Sequence, residues 1–268
     1  MKNRSETIQE KHYIAIHHTR SYDIIKEFKA HENLLPKFIL KNALMHYLLT
    51  PEEVLTTRIN FMRNYCALSI ASYILGIGDR HLENFLINIK TSEIVAIDFG
   101  VAFGQGLSQI IPELVPYRLT CQIRNTMYPF GIKGVIRQTM TDVLSAFRMA
   151  KDNILDYCEV FVKEPLLDWG DMLTKEGGPM RKVEVVHKKL SGGNPVMIMS
   201  GELERESRCA KKTIEIVKKI LEEDVDGIRV RNRNKELLDV ETQVDILNEM
   251  ATDPNLLGRM WIGWSPFI

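Results

Sequence analysis

The sequence predicts a mainly α-helical α+β fold with one short β-hairpin near its middle. Two observations carry this. Apolar residues recur at helical spacing through most of the 268 residues, and only residues 85–89 and 93–97, joined by Lys90-Thr91-Ser92, read as strands. The content of 45% hydrophobic and 26% charged residues is that of an ordered chain able to bury a sizeable core as one large or two small domains. Lys+Arg and Asp+Glu balance at 35 each, so no overall charge draws the chain to nucleic acid or acidic lipid, and any such contact has to be local.

Residues 1–30 are polar and weakly patterned, and read as a frayed or partly helical lead-in. His12, His17 and His18 lack the matching second pair or carboxylate of a metal site and read as surface residues. Leu34, Leu35, Phe38, Ile39, Ala43, Leu44, Tyr47 and Leu48 place a helix over 34–49. The next helix is announced by a capping box, Thr50-Pro51-Glu52-Glu53, and its apolar residues continue to Gly76, where a glycine suits the left-handed C-terminal position. At roughly 25 residues it is long for a globular helix, which places it centrally, buried on more than one side.

After the hairpin, 101–116 is loop-like, with Gly104, Gly106, Pro112 and Pro116. Helical patterns follow over about 118–127, 134–150 and 152–163, and Pro165 and Asp168-Trp169-Gly170 break the run. A basic helix carries Arg181, Lys182, Lys188 and Lys189; residues 203–223 read as one amphipathic helix. Residues 224–235 read as a polar connector whose Arg229, Arg231, Arg233 and Lys235 are solvated rather than phosphate-binding. A short apolar helix over 240–250 precedes the tail with Trp261, Trp264 and Phe267. Cys66, Cys121, Cys158 and Cys209 are far apart, with no zinc or disulfide spacing, so reduced intracellular thiols are expected. No apolar run approaches the roughly 20 residues that span a bilayer, and no signal-peptide core is present, so no membrane contact is expected and a cytosolic or nuclear location is.

The chemistry concentrates in 76–104. Asp79 sits in a short loop, Asn84 follows five residues later, and Asp98-Phe99-Gly100 comes directly after the hairpin. A tight hairpin brings its two ends together, so Asn84 and Asp98 are expected side by side, an oxygen pair suited to magnesium. This is the order of parts of a phosphoryl-transfer site: Asp79 aligns the attacking hydroxyl, Asn84 and Asp98 hold Mg2+ between the ATP phosphates, and His81 donates to the γ-phosphate. Asp79, Arg80 and His81 are thus the candidate catalytic residues, and Asn84, Asp98, Phe99 and Gly100 the candidate cofactor-binding ones.

Conventional protein kinases use His-Arg-Asp, whereas this chain has Asp79-Arg80-His81, an order that resembles the phosphoinositide-3-kinase-like superfamily of lipid and protein kinases. Loop 101–116 carries no lysine or arginine with which to grip a phosphoinositide headgroup, which favours a protein substrate. The run from Pro112, Glu113 and Leu114 to Thr120 resembles the end of the activation loop in the phosphatidylinositol 3-kinase-related protein kinases, and the tail resembles their FATC domain. The stretches 160–165, 189–195 and 251–259 are most similar to the DNA-dependent branch of that family. One departure is Phe267, where the family usually has tryptophan.

The resemblance implies the C-terminal lobe of a phosphatidylinositol 3- and 4-kinase-like fold. Its implied parts are a large lobe over 31–200 (catalytic loop 76–84, activation loop 98–117), a regulatory insert over 201–236 and a FATC-like domain over 237–268. It further implies an ATP- and Mg2+-dependent serine/threonine kinase that prefers glutamine after the target residue, with Pro112, Glu113 and Leu114 contributing the glutamine pocket. A nuclear role in double-strand-break repair by non-homologous end joining follows from it, as do a Ku-type heterodimer and DNA ends as partners reached through the parent protein. There is no glycine before Gly76, hence no Gly-rich phosphate loop, and no strand carries a phosphate-clamping lysine. The segment is therefore expected to lack its N-lobe and to be inactive alone. Two alternatives stay open: a lipid kinase lobe, and a non-catalytic interaction fragment.

Overall fold

The computed structural model describes residues 18–164, 178–207, 211–223 and 227–261. His12, His17, Pro165, Asp168, Trp169, Gly170, Cys209, Trp264 and Phe267 lie outside the described residues.

Helices α1 (Ser21–Glu32) and α2 (Ile39–Met45) lead into the 25-residue α3 (Pro51–Leu75). The capping box forms as the sequence predicts: Glu53 N donates to Thr50 Oγ1 at 3.2 Å and Thr50 N to the Glu53 carboxylate at 3.1 Å. α3 ends at Gly76, whose φ of +61° is left-handed; a Cβ there would come within 2.5 Å of Gly104 N. Beyond it, β1 (Phe85–Ile87) and β2 (Ile94–Ala96) pair antiparallel, with Leu86 opposite Val95. The strands are shorter than predicted because Asn88 already belongs to the turn, its Oδ1 accepting from Lys90 N at 2.9 Å and Thr91 N at 3.3 Å.

Among the described residues the remaining α-helices are α4 (Cys121–Asn125), α5 (Arg137–Met149), α6 (Lys151–Val162), α7 (Met180–Leu190), α8 (Pro195–Glu206), α9 (Lys211–Glu222), α10 (Ile228–Asn232), α11 (Val240–Thr252) and α12 (Pro254–Leu257). α3 packs on α5, α5 on α11, α6 on α7, and α9 on α8. α11 serves two cores at once. Val244, Leu247 and Ala251 join Phe61, Met62, Ile70 and Leu144 in one, while Ile246 and Met250 join Leu114, Leu203 and Leu221 in the other. A helix apolar on two faces has to be buried, and all five of these α11 residues are 0% exposed.

Four expectations need correction or narrowing. Within the lead-in, α1 is a formed helix: Ile24 and Phe28 are buried, α1 packs on α12, and Asn255 Nδ2 donates to Ser21 Oγ at 3.1 Å. The 34–49 helix shrinks to α2, since Pro36 stands inside the predicted span. The single helix over 203–223 is two helices, because Asn194 and Pro195 start α8 early; Asn194 Oδ1 accepts from Val196 N at 3.1 Å. The connector's Arg229 is not solvated. It is 1% exposed, donates to Leu221 O at 3.0 Å and pairs with Glu249 and Asp253, while Arg231, Arg233 and Lys235 are exposed. No helix among the described residues is long and apolar enough to cross a membrane.

Gln243 joins α11 to the rest of the lobe. Fully buried, its Nε2 donates to Gly193 O at 2.9 Å, Lys189 O at 3.1 Å and Tyr73 Oη at 3.3 Å, while its Oε1 accepts from Arg148 Nη2 at 2.7 Å. Gln243→Leu strands these groups and is expected to destabilise the chain by about 2–4 kcal/mol, read as a lower urea midpoint at unchanged m-value.

Candidate active site

The two acids singled out in the sequence are both left-handed: Asp79 has φ +53° and Asp98 φ +57°. Aspartate tolerates this region better than most residues, but the conformation persists only where neighbours over-determine it. Here backbone pairing does so. Gly78 N donates to Val101 O at 2.8 Å, Phe103 N to Leu75 O at 2.9 Å and Gly104 N to Gly76 O at 2.9 Å, so the segment after Asp98 runs against the end of α3 and the loop that follows it.

Arg80 ties the acids together from inside. It is 3% exposed, and its guanidinium donates through Nε to Gly78 O at 2.9 Å, through Nη1 to Ile97 O at 2.9 Å and through Nη2 to Asp98 O. The same group lies 5.4 Å from the Phe99 ring centroid and 6.0 Å from that of Phe85. Burial lowers its pKa, and the charges of Asp79, Asp98 and Glu113 raise it again. Each guanidinium nitrogen meets a backbone carbonyl, so the geometry makes Arg80 a positioning residue.

Asn84 is buried at the end of the same loop. Its Nδ2 donates to Asp79 O at 2.6 Å, and Ile97 N donates to Asn84 O at 3.1 Å, closing the hairpin base as its length predicts. The Asp98 carboxylate is exposed, with Oδ1 accepting from Gly100 N at 3.1 Å. With the amide nitrogen of Asn84 committed to Asp79, its oxygen is left for a cation. One carboxylate and one amide oxygen fit Mg2+, which takes few protein ligands and completes its shell with phosphates and water. No cluster of three or more His, Cys, Asp or Glu able to hold a metal occurs among the described residues. His81 is half-buried, its Nδ1 3.9 Å from Glu83 Oε2, and Phe99 is 53% exposed.

Pro112 and Leu114 are buried, and Leu114 N donates to Met260 Sδ at 3.4 Å, joining this loop to the C-terminal segment. Glu113 turns inward. Its carboxylate accepts from Asp79 N at 2.9 and 3.0 Å and fills a slot between Gly78 and Gly106, where a Cβ on either glycine would approach it to 2.7 Å. Sequence reasoning missed this bond and the Arg80 clamp; the two bare glycines were its visible trace. An open groove of about 560 Å3 runs past Asp79, Val101, Ser108, Gln109, Glu113 and Trp261 and, among the described residues, is lined by no lysine or arginine.

Burial pushes the Glu113 carboxyl up to about 7 from its usual 4.5, the Asp79 charge adding to the rise and the Asp79 N–H and Arg80 opposing it. A carboxyl with a raised folded-state pKa contributes stability that is complete below its unfolded pKa and lost as pH climbs through its folded one. Unfolding free energy is therefore expected to fall more steeply in wild type than in Glu113→Gln between about pH 4.5 and about pH 7; parallel curves contradict the assignment.

Comparison with known proteins gives the chain's family. The phosphatidylinositol 3- and 4-kinase family profile matches residues 1–171 and the FATC domain profile residues 237–268. The chain is 36% identical over 262 residues to the DNA-dependent protein kinase catalytic subunit of Xenopus laevis, covering 91% of this chain and 6% of that protein. It is 33% identical over 218 residues to the serine/threonine-protein kinase tel1 of Schizosaccharomyces pombe, covering 81% of this chain and 8% of the relative. Among solved structures, the FAT and kinase domain of CtTel1 superposes with a TM-score of 0.65 at 26% identity, covering 96% of this chain and 15% of that one. The chain thus spans under a tenth of the length of these full-length relatives. It belongs to the phosphatidylinositol 3- and 4-kinase family, with the mainly helical C-terminal lobe of a phosphatidylinositol 3-kinase-related kinase and a FATC domain.

Proposed function

We propose that this chain supplies the catalytic-loop half of an ATP-dependent serine/threonine protein kinase. The observation that carries the reading is the convergence of Asp79, Asn84 and Asp98, bonded through Asn84 to Asp79 O and through Arg80 to Asp98 O. Asp79 accepts a hydrogen bond from the substrate hydroxyl and aligns it for in-line attack. Asn84 and Asp98 would hold Mg2+, which when bound neutralises charge on the β- and γ-phosphates. His81 donates to the γ-phosphate as charge develops, and Phe99 and Gly100 keep the Asp98 turn in shape.

A protein substrate is favoured over a lipid because, among the described residues, the groove beside Asp79 has no basic side chain with which to bind a phosphorylated headgroup. Of Pro112, Glu113 and Leu114, Glu113 lines that groove and the other two are buried beside it; together they are the proposed contributors to a pocket for glutamine after the target residue. Likeness to the DNA-dependent protein kinase catalytic subunits supports a nuclear role in double-strand-break repair by end joining. A Ku-type heterodimer and DNA ends would then be engaged by the parent protein.

The test is a phosphorylation assay on the catalytically complete parent protein, offering a Ser-Gln peptide and a phosphoinositide in parallel. Turnover of the peptide and not the lipid is expected, with Asp98→Ala and Asp79→Asn each lowering kcat by about 10^3-fold or more. Lipid turnover would move the assignment to the lipid kinases, and no turnover of either substrate would leave an interaction module.

A further inference from the structure

Directly behind the catalytic loop stand four buried charges that the mechanism does not use. Lys182 and Lys189 of α7 and Glu202 and Glu206 of α8 are each at most 9% exposed. Lys182 Nζ lies 3.0 Å from Glu202 Oε2 and 3.3 Å from Glu206 Oε1, and Arg181 closes on Glu206, so these groups largely neutralise one another. Lys189 points elsewhere. Its Nζ donates to Tyr73 O at 2.6 Å and Ile74 O at 3.5 Å and lies 5.0 Å from the Tyr73 ring centroid.

Those carbonyls end α3, and what they hold is the catalytic loop. Tyr73 O also accepts from Gly76 N at 3.2 Å, and Ser72 O from Ile77 N at 2.9 Å. A helix C-terminus favours a cation, yet the last turn of α3 has no basic residue of its own; Lys189 supplies one from α7. Between Lys189 and Glu202 lies a cavity of about 80 Å3 bordered by Gly76, Gly78, Gly104 and Glu113. Glu202 Oε1 is buried with no hydrogen-bond partner among the described residues, and Glu202 lines this cavity.

We propose that Lys189 is a positioning residue for the catalytic loop: it caps the C-terminus of α3 and is balanced across the cavity by the free oxygen of Glu202. Burial lowers the Lys189 pKa to about 8, Glu202 raising it and Lys182 lowering it further, which is the dependence this arrangement requires. Gln243, bonded to Lys189 O and Tyr73 Oη, fixes the same corner from α11. The inference rests on the kinase reading for the loop's role but not for its conformation.

The test is amide hydrogen exchange on the 268-residue chain. Lys189 shares no direct ion pair with a carboxylate among the described residues, so replacing it alone leaves the contacts of Lys182 with Glu202 and Glu206 in place. In Lys189→Met, the amides of residues 76–80 are expected to exchange at least about tenfold faster while α11 stays within about twofold of wild type. Lys189→Arg, which keeps a cation at the carbonyls, restores the loop to within about threefold. Unchanged loop exchange, or loop and α11 loosening by the same factor, overturns the proposal. Should Lys189→Met not fold, Glu202→Gln decides by the same ratio of loop to α11 exchange. Loop loosening in a parent protein that phosphorylates nothing would refute the kinase reading while leaving this inference intact.

Discussion

The structure depends on one buried cation. Arg80 donates to carbonyls of Gly78, Ile97 and Asp98, and so fixes a loop that follows a helix against a turn that follows a hairpin. Neither piece is stable in isolation as observed. Asp79 and Asp98 both sit in the left-handed region, and three residues of strand on each side make a marginal hairpin. A guanidinium suits the task because its planar fork meets several carbonyls in fixed directions without needing a carboxylate partner. The acids are thereby held while their carboxylates remain outside the clamp.

Around that clamp the lobe is built inward from both ends of the sequence. α3 brings the loop to its place, α7 caps α3, and α11, from the FATC portion, buries both of its faces and binds Tyr73 and Lys189 through Gln243. The loop after Asp98 is attached on two sides, through Glu113 to Asp79 N and through Leu114 N to Met260. This gives the C-terminal domain a physical path to loop 76–84, made of two hydrogen-bonded corners rather than of proximity alone. Glu113, the one acid of loop 101–116, is thereby committed to the loop that carries Asp79.

Much of this was legible in the sequence where the signal is local. Thr50-Pro51-Glu52-Glu53 and Gly76 bounded α3 because caps act within a few residues, and the spacing from Asn84 to Asp98 placed them at a hairpin base because a tight hairpin leaves no other outcome. What stayed hidden depends on partners distant in sequence. Arg229 looks like its exposed neighbours Arg231 and Arg233, and only Glu249 and Asp253 make it a core residue. Lys189 likewise sits among the basic residues of an amphipathic helix, and nothing within its helix reveals that it faces the carbonyls of Tyr73 and Ile74. The start of α8 was readable in Asn194-Pro195 but was masked by the Gly192-Gly193 turn before it.

The most direct test of this account is the turnover of Arg80→Lys in the catalytically complete parent protein. A lysine is a point charge on a flexible stem and cannot meet three carbonyls in the fork geometry, although it preserves the charge beside the two acids. If the clamp sets the relation of Asp79 to Asp98, kcat falls by about 10^2-fold or more while the variant stays folded. A folded Arg80→Lys enzyme with wild-type kcat would contradict it.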